Sequence, residues 1–170
     1  MAANINAFYI VNETNDKWTS QPLLVASGAV STISQGSPTI GADATAASPW
    51  TGAVLPMSTG GGTTSQRFTG IAKNTSSDTA TANGSVIVWL PLPGLIYGGQ
   101  AKVAANANTA ALIQALFGKR VTLDLTSNVW TVNTAAADAA ANMVVIVDGD
   151  PNTSTIHWFY KQTGALEQIA

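Results

Sequence analysis

Apolar and polar residues alternate in short runs along much of this chain, the two-residue period of half-buried β-strands. In Phe8–Asn12, Phe8 and Ile10 face one way and Tyr9 and Val11 the other. Asn12-Glu13-Thr14-Asn15-Asp16 follows as a turn, because Asn and Asp side chains bond their own backbone there. Leu23–Val25 and Ala29–Ile33 are the next strand candidates, with Gly28 a bend or bulge between them. The pattern resumes at Arg67–Lys73, and Ser76–Gly84 reads as a polar turn ending on the hairpin signal Asn83-Gly84. Ser85–Leu90 is apolar on both faces, as a central strand requires, and Pro91 and Pro93 stop it. Arg120–Leu125 alternates, with Val121, Leu123 and Leu125 inward and Thr122 and Asp124 outward. Thr126-Ser127-Asn128 turns the chain into Val129–Asn133, and Ala135–Asn142 is a loop or helical turn of small residues. Met143–Val147 is a buried strand, Asp148-Gly149-Asp150-Pro151 a tight turn, and Thr155–Lys161 the returning partner.

Two segments break the alternation. Asn108 or Thr109 can cap a helix over Ala110–Phe117, which carries Leu112, Ile113, Leu116 and Phe117 on one side before Gly118 ends it. A helix this short needs a sheet to pack on. From Ser34 to Gln66 the chain holds Pro38, Pro49, Pro56 and the run Thr59–Thr64, with almost no period. It reads as a long loop or reaching arm, anchored through Trp50 to a neighbour or to its own core. The expected fold is therefore mainly β: a small antiparallel β-barrel or sandwich with one short α-helix and a long irregular loop or arm. Its expected parts are an N-terminal arm with first strands (1–33), the loop (34–66), and a β-domain (67–170) with the helix near 109–117.

Composition changes the picture in one respect. Hydrophobic residues make up an ordinary 46% of the 170 residues, but Asp, Glu, Lys and Arg only 9%, against about 25% in typical domains. A neutral polar surface loses little when a partner covers it, because few ions must be desolvated. The net charge of −2 offers little repulsion between copies. The basic residues are scattered, with only Lys119–Arg120 adjacent, so no stripe exists to neutralise phosphates and nucleic acid is not an expected partner. The longest apolar runs are strand-length, which gives no membrane-spanning helix. No basic segment followed by an apolar one opens the chain, so synthesis in the cytoplasm without a signal peptide is expected. Without cysteine there are no disulfides, thiolate metal sites or thiol catalysis.

Candidate chemistry is sparse. His157, the single histidine, lies in a strand pattern alongside Phe159, and a general base needs an orienting partner. No Gly-x-Ser-x-Gly elbow presents a serine. Asp148-Gly149-Asp150 invites a calcium reading, but the following Pro151 and the lack of further ligands favour a hairpin turn, leaving at most a weak cation site. Gly60–Gly62 is not followed by a phosphate loop's lysine. The reading is a non-enzyme without cofactor or metal. Of the five tryptophans, Trp89, Trp130 and Trp158 sit in strand contexts and are expected in the core. Trp18 and Trp50 sit in loop contexts and are the interface candidates. Met57 and the neutral N-terminal Asn4 and Asn6, which suit strand addition to a neighbour, complete that set.

Val86-Ile87-Val88-Trp89-Leu90-Pro91-Leu92-Pro93-Gly94 and Tyr97-Gly98-Gly99-Gln100-Ala101-Lys102-Val103, then the short helix and the hairpins at Lys119–Asn133 and Met143–Lys161, carry a resemblance. Over roughly Arg67–Lys161 the pattern resembles the head decoration, or capsid cement, proteins of tailed bacteriophages. The resemblance implies a small β-domain, often a homotrimer, bound to the major capsid protein on the virion surface, where it clamps neighbouring shell subunits. Two other readings fit the same composition. One is a tail or baseplate component, the other a carbohydrate-binding adhesive module using Trp18 or Trp50.

Overall fold

The computed structural model describes residues 8–12, 20–25, 32–41, 53–63, 68–77, 79 and 84–161. The chain divides into two compact units. One takes its described residues from Phe8–Asn12, Ser58–Thr63 and Gly94–Lys161; the other from Ser20–Met57 and Phe68–Pro93.

The second unit is a closed five-stranded barrel of β2 (Ser20–Val25), β4 (Pro38–Gly41), β5 (Ala53–Pro56), β6 (Phe68–Ala72) and β8 (Ser85–Trp89), in the order β2-β5-β4-β6-β8. Every neighbouring pair is antiparallel except β2 and β5, which run parallel. Parity demands this. Directions cannot alternate around an odd ring, so one neighbouring pair must share its direction. Alternation fills the interior: Leu23 and Val25 of β2 and Val86 and Val88 of β8 are buried, while Pro22, Leu24, Ser85 and Ile87 point out. With Val54, Ala72 and Ile33 they form one apolar cluster. The buried hydroxyls are satisfied: Thr39 donates to the Gly70 carbonyl (3.0 Å), which leaves Thr69 to donate to Thr39 (2.8 Å). A small ladder of β3 (Thr32–Ile33) and β7 (Ser76–Ser77) lies outside the barrel sheet.

The barrel corrects the reading of Ser34–Gln66 as one long loop. Both β4 and β5 lie inside that stretch, with Val54 fully buried. Pro38 opens β4 and Pro56 closes β5, positions where a missing N–H costs little. Proline punctuation therefore concealed two very short strands. Trp50 and Gly28 lie outside the described residues. Asn83 of the Asn83-Gly84 signal also lies outside the described residues, while Ser76–Ser77, expected to open the polar turn, form a strand, β7.

The first unit is built on a five-stranded sheet in the order β1-β9-β14-β13-β10, antiparallel throughout. Its strands are β1 (Tyr9–Ile10), β9 (Tyr97–Gln100), β10 (Arg120–Val121), β13 (Val144–Asp150) and β14 (Thr155–Tyr160). The hairpin of β11 (Leu123–Thr126) and β12 (Val129–Val132) is joined by Ser127 and Asn128, both at positive φ (51° and 63°). That is the turn whose twist matches a two-residue hairpin. Aromatic rings fill the core: Trp158, fully buried, meets Phe8 edge-on at 5.3 Å and Tyr97 at 4.8 Å, and Phe8 lies 6.5 Å from Trp130. Gly98 and Gly99 of β9 make this possible. A methyl group on Gly99 would collide with the Phe8 ring, and one on Gly98 with the Tyr9 ring.

The expected strand Arg120–Leu125 is broken at Thr122 into β10 and β11, which belong to different sheets. The break reverses the outward half of the alternation. Leu125 is 36% exposed, while Asp124 is buried, with its carboxylate held by the Lys102 ammonium (2.5 Å) and the Gly60 N–H (3.2 Å). Trp130 and Trp158 are core residues as expected, whereas Trp89 is half-buried, with the Lys73 ammonium 5.7 Å above its ring.

Candidate functional site

The most distinctive surface of the first unit is where its helix meets the β13–β14 hairpin. Helix α1 spans Ala110–Leu116. Thr109, in extended backbone, caps it by accepting from the Leu112 N–H (3.3 Å). Gly118 ends it at φ 77°, in the left-handed region, and its N–H donates to the Ile146 carbonyl (2.8 Å). This ties the helix end to β13. Ile113 and Leu116 are buried, with Ile113 seated against Gly149.

Phe117 does not share their face. It is the C-cap residue, with non-helical φ −57° and ψ 129°, and it is 69% exposed; Leu112 is 40% exposed. The expectation of four apolar residues on one side therefore holds only for Ile113 and Leu116. Phe117 and Gly118 (φ 77°) form the centre of a type II turn closed by the Lys119 N–H donating to the Leu116 carbonyl (3.0 Å), and the glycine at its positive-φ position was the signal in the sequence.

β13 is irregular opposite. Ile146 pairs with Trp158 and Asp148 with His157, so Val147 is an extra residue, a β-bulge. Asp148, Gly149 and Asp150 are strand residues, and the turn is Pro151–Ser154, which corrects the placing of the tight turn at Asp148–Pro151. Asp150 organises that turn. Its Oδ1 accepts from the Asn152 N–H (2.9 Å) and amide (3.2 Å), and its Oδ2 from the Thr153 hydroxyl (3.0 Å). These bonds, led by the Asn152 N–H, hold its carboxyl below the ordinary carboxylate range. The Asp148 side chain is 72% exposed, and its Oδ2 lies 3.9 Å from His157 Nδ1, beyond hydrogen-bond reach. Between helix and bulge opens a hollow of about 540 Å³, walled by Ile113, Gln114 and Phe117 on one side and Val147, Asp148 and Pro151 on the other.

The two carboxylates thus have different surroundings, one bound into its own turn and one exposed. Among the described residues no three His, Cys, Asp or Glu side chains are grouped to hold a metal. Other charges are held within the fold: Arg120 Nε contacts Asp138 at 2.8 Å, the largest cause of that carboxyl's lowered pKa, and Lys119 donates to the Thr134 carbonyl (3.0 Å).

Of the interface candidates, Trp18, Trp50, Asn4 and Asn6 lie outside the described residues. Met57 is 3% exposed, and its N–H donates to the Pro38 carbonyl (3.0 Å). Besides Phe117, the large apolar residues left exposed include Leu24 (50%) and Ile87 (40%). Leu24 and Ile87 share the outer face of the β2–β8 pair, where Pro22 lies directly opposite Ile87. No helix among the described residues is long and apolar enough to cross a membrane.

Comparison with protein-family models, with curated proteins and with solved structures gave no match to this chain.

Proposed function

We propose that this protein is a non-enzymatic structural component of a phage particle, which binds the outer surface of the capsid and cements neighbouring major capsid subunits. The observation that carries the reading is the sparse charge, 9% of residues, on a β-fold that leaves large apolar side chains such as Leu24, Ile87 and Phe117 in solvent. Such a surface can be covered by a neighbour at low desolvation cost. The resemblance over Arg67–Lys161 supplies the identity of the neighbour. Binding of this kind sums many modest contacts repeated by symmetry, so avidity provides the strength.

The test is solution mass by light scattering across concentrations, followed by mixing with empty capsids. The expected result is a trimer, or a monomer that saturates the shell at a fixed stoichiometry. Trp50→Ala is expected to leave circular dichroism unchanged and to reduce capsid occupancy. A protein that never co-sediments with capsids, but whose tryptophan fluorescence responds to a glycan panel, would replace this reading with the adhesive one.

A further inference from the structure

The hollow beside Phe117 combines features that a merely irregular surface does not require together. One wall is an exposed aromatic ring placed by the helix cap. The opposite wall holds a carboxylate carried there by a β-bulge, a device that re-aims side chains. The lining between them is aliphatic: Ile113, Val147 and Pro151. Asp148 is also unusual among the described acids. Asp124 is held by Lys102, Asp138 by Arg120 and Asp150 by its own turn, whereas Asp148 meets only His157, at 3.9 Å.

We infer that this hollow is a binding site for an arginine side chain presented by a partner protein. A guanidinium is planar and stacks on an aromatic face while it pairs with a carboxylate, and its three-carbon stem covers apolar surface. Phe117 offers the face, Asp148 the anion, and Ile113, Val147 and Pro151 the surface for the stem. Charge complementarity selects a cation over a neutral aliphatic group, and the combination of ring and carboxylate selects guanidinium over ammonium. The site takes a side chain rather than a metal ion, because a single carboxylate with an apolar surround lacks the several oxygens a hard cation needs. This inference does not rest on the capsid reading, since any exposed arginine of suitable geometry fits it.

The test uses the full chain, labelled for NMR and titrated with N-acetyl-arginine methylamide, its citrulline counterpart and its lysine counterpart. The arginine compound is expected to shift the amides of Ile113, Phe117, Asp148 and Gly149 saturably, with citrulline and lysine weaker. Asp148→Asn and Phe117→Ala are each expected to weaken arginine binding about fivefold. Both side chains are largely exposed, so thermal unfolding should not change. Overturning results are an absence of saturable shifts in these residues, or shifts of equal affinity from citrulline or lysine. The comparison among the three compounds on the wild-type protein needs no variant, so it decides the matter even if one variant misfolds.

Discussion

The glycine pair in β9 makes a prediction whose sign reverses with background. Gly99→Ala adds a methyl where the Phe8 ring now lies, and that ring is 2% exposed and wedged against Trp158 and Trp130. With no room to retreat, the overpacking should cost about 1–3 kcal/mol. Phe8→Ala alone should cost about 3–5 kcal/mol as a buried aromatic deletion. In the Phe8→Ala background the collision is gone, and replacing a strand glycine should become favourable by about 0.5–1 kcal/mol. The double-mutant cycle should therefore return a coupling of about 1.5–4 kcal/mol. Because the chain divides into two compact units, whole-chain unfolding is not a safe readout. Native-state hydrogen exchange at amides of β9 and β14 reports the relevant unit directly. A Gly99→Ala cost that is equal in both backgrounds, within about 0.5 kcal/mol, would refute the claim that glycine is there to admit the ring. Phe8→Leu serves in the same cycle if Phe8→Ala does not fold.

Three further outcomes are expected. Burial raises the pKa values of Tyr97 and Tyr160 in the folded protein, so their stabilising contribution is complete below the unfolded tyrosine value of about 10 and is lost as pH rises above it. Tyrosinate absorbance should therefore appear for these two together with unfolding, at up to about 1.4 kcal/mol lost per pH unit per tyrosine; their titration within an intact fold would contradict the burial. Asp124→Ala should cost about 2–3 kcal/mol, since the buried carboxylate joins the Gly60 N–H and the Lys102 ammonium; hydrogen exchange at Gly60 should accelerate, and an unchanged rate would sink the assignment. Thr134 is 2% exposed and its Oγ1 has no hydrogen-bond partner among the described residues, so Thr134→Val should stabilise its unit by about 1 kcal/mol in native-state hydrogen exchange, and a loss of that size would reveal a bond to its hydroxyl.

Legibility in the sequence followed the length of each pattern. The strands of β8, β12 and β14, the helix with its Thr109 cap, and the Ser127-Asn128 turn were readable because local rules and tertiary packing agree there. Strands β4 and β5 were not, because at four residues each, bounded by prolines, they offer too little alternation to register. They form only because the ring needs them to close. The bulge at Val147 was equally hidden: Met143–Val147 reads as a uniform buried run, and nothing in it marks an extra residue. Asp148-Gly149-Asp150 resembled a turn by composition, yet the chain turns three residues later on Asp150's own hydrogen bonds. The hollow depends on that displacement, so it was not visible to a reading that placed the turn first.

The distribution of charge joins the two proposals. Among the described residues, Lys102 and Asp124, Arg120 and Asp138, Lys119 and the Thr134 carbonyl, and Lys73 and the Trp89 ring are matched within the fold. The two Lys/Arg–Asp pairs largely cancel each other's field, while Lys119 and Lys73 keep their charge but are held in place by neutral groups. On such a surface an unmatched carboxylate acts with less local competition than it would among many ions, and salt rather than neighbouring side chains sets its reach. Asp148 occupies that position beside an exposed aromatic ring. A neutral exterior permits close approach of a partner over a wide area, while one directed cation contact fixes how the partner is oriented. Affinity would then come from area and symmetry, and register from the hollow, which is why weakening the hollow should alter orientation and specificity more than overall binding.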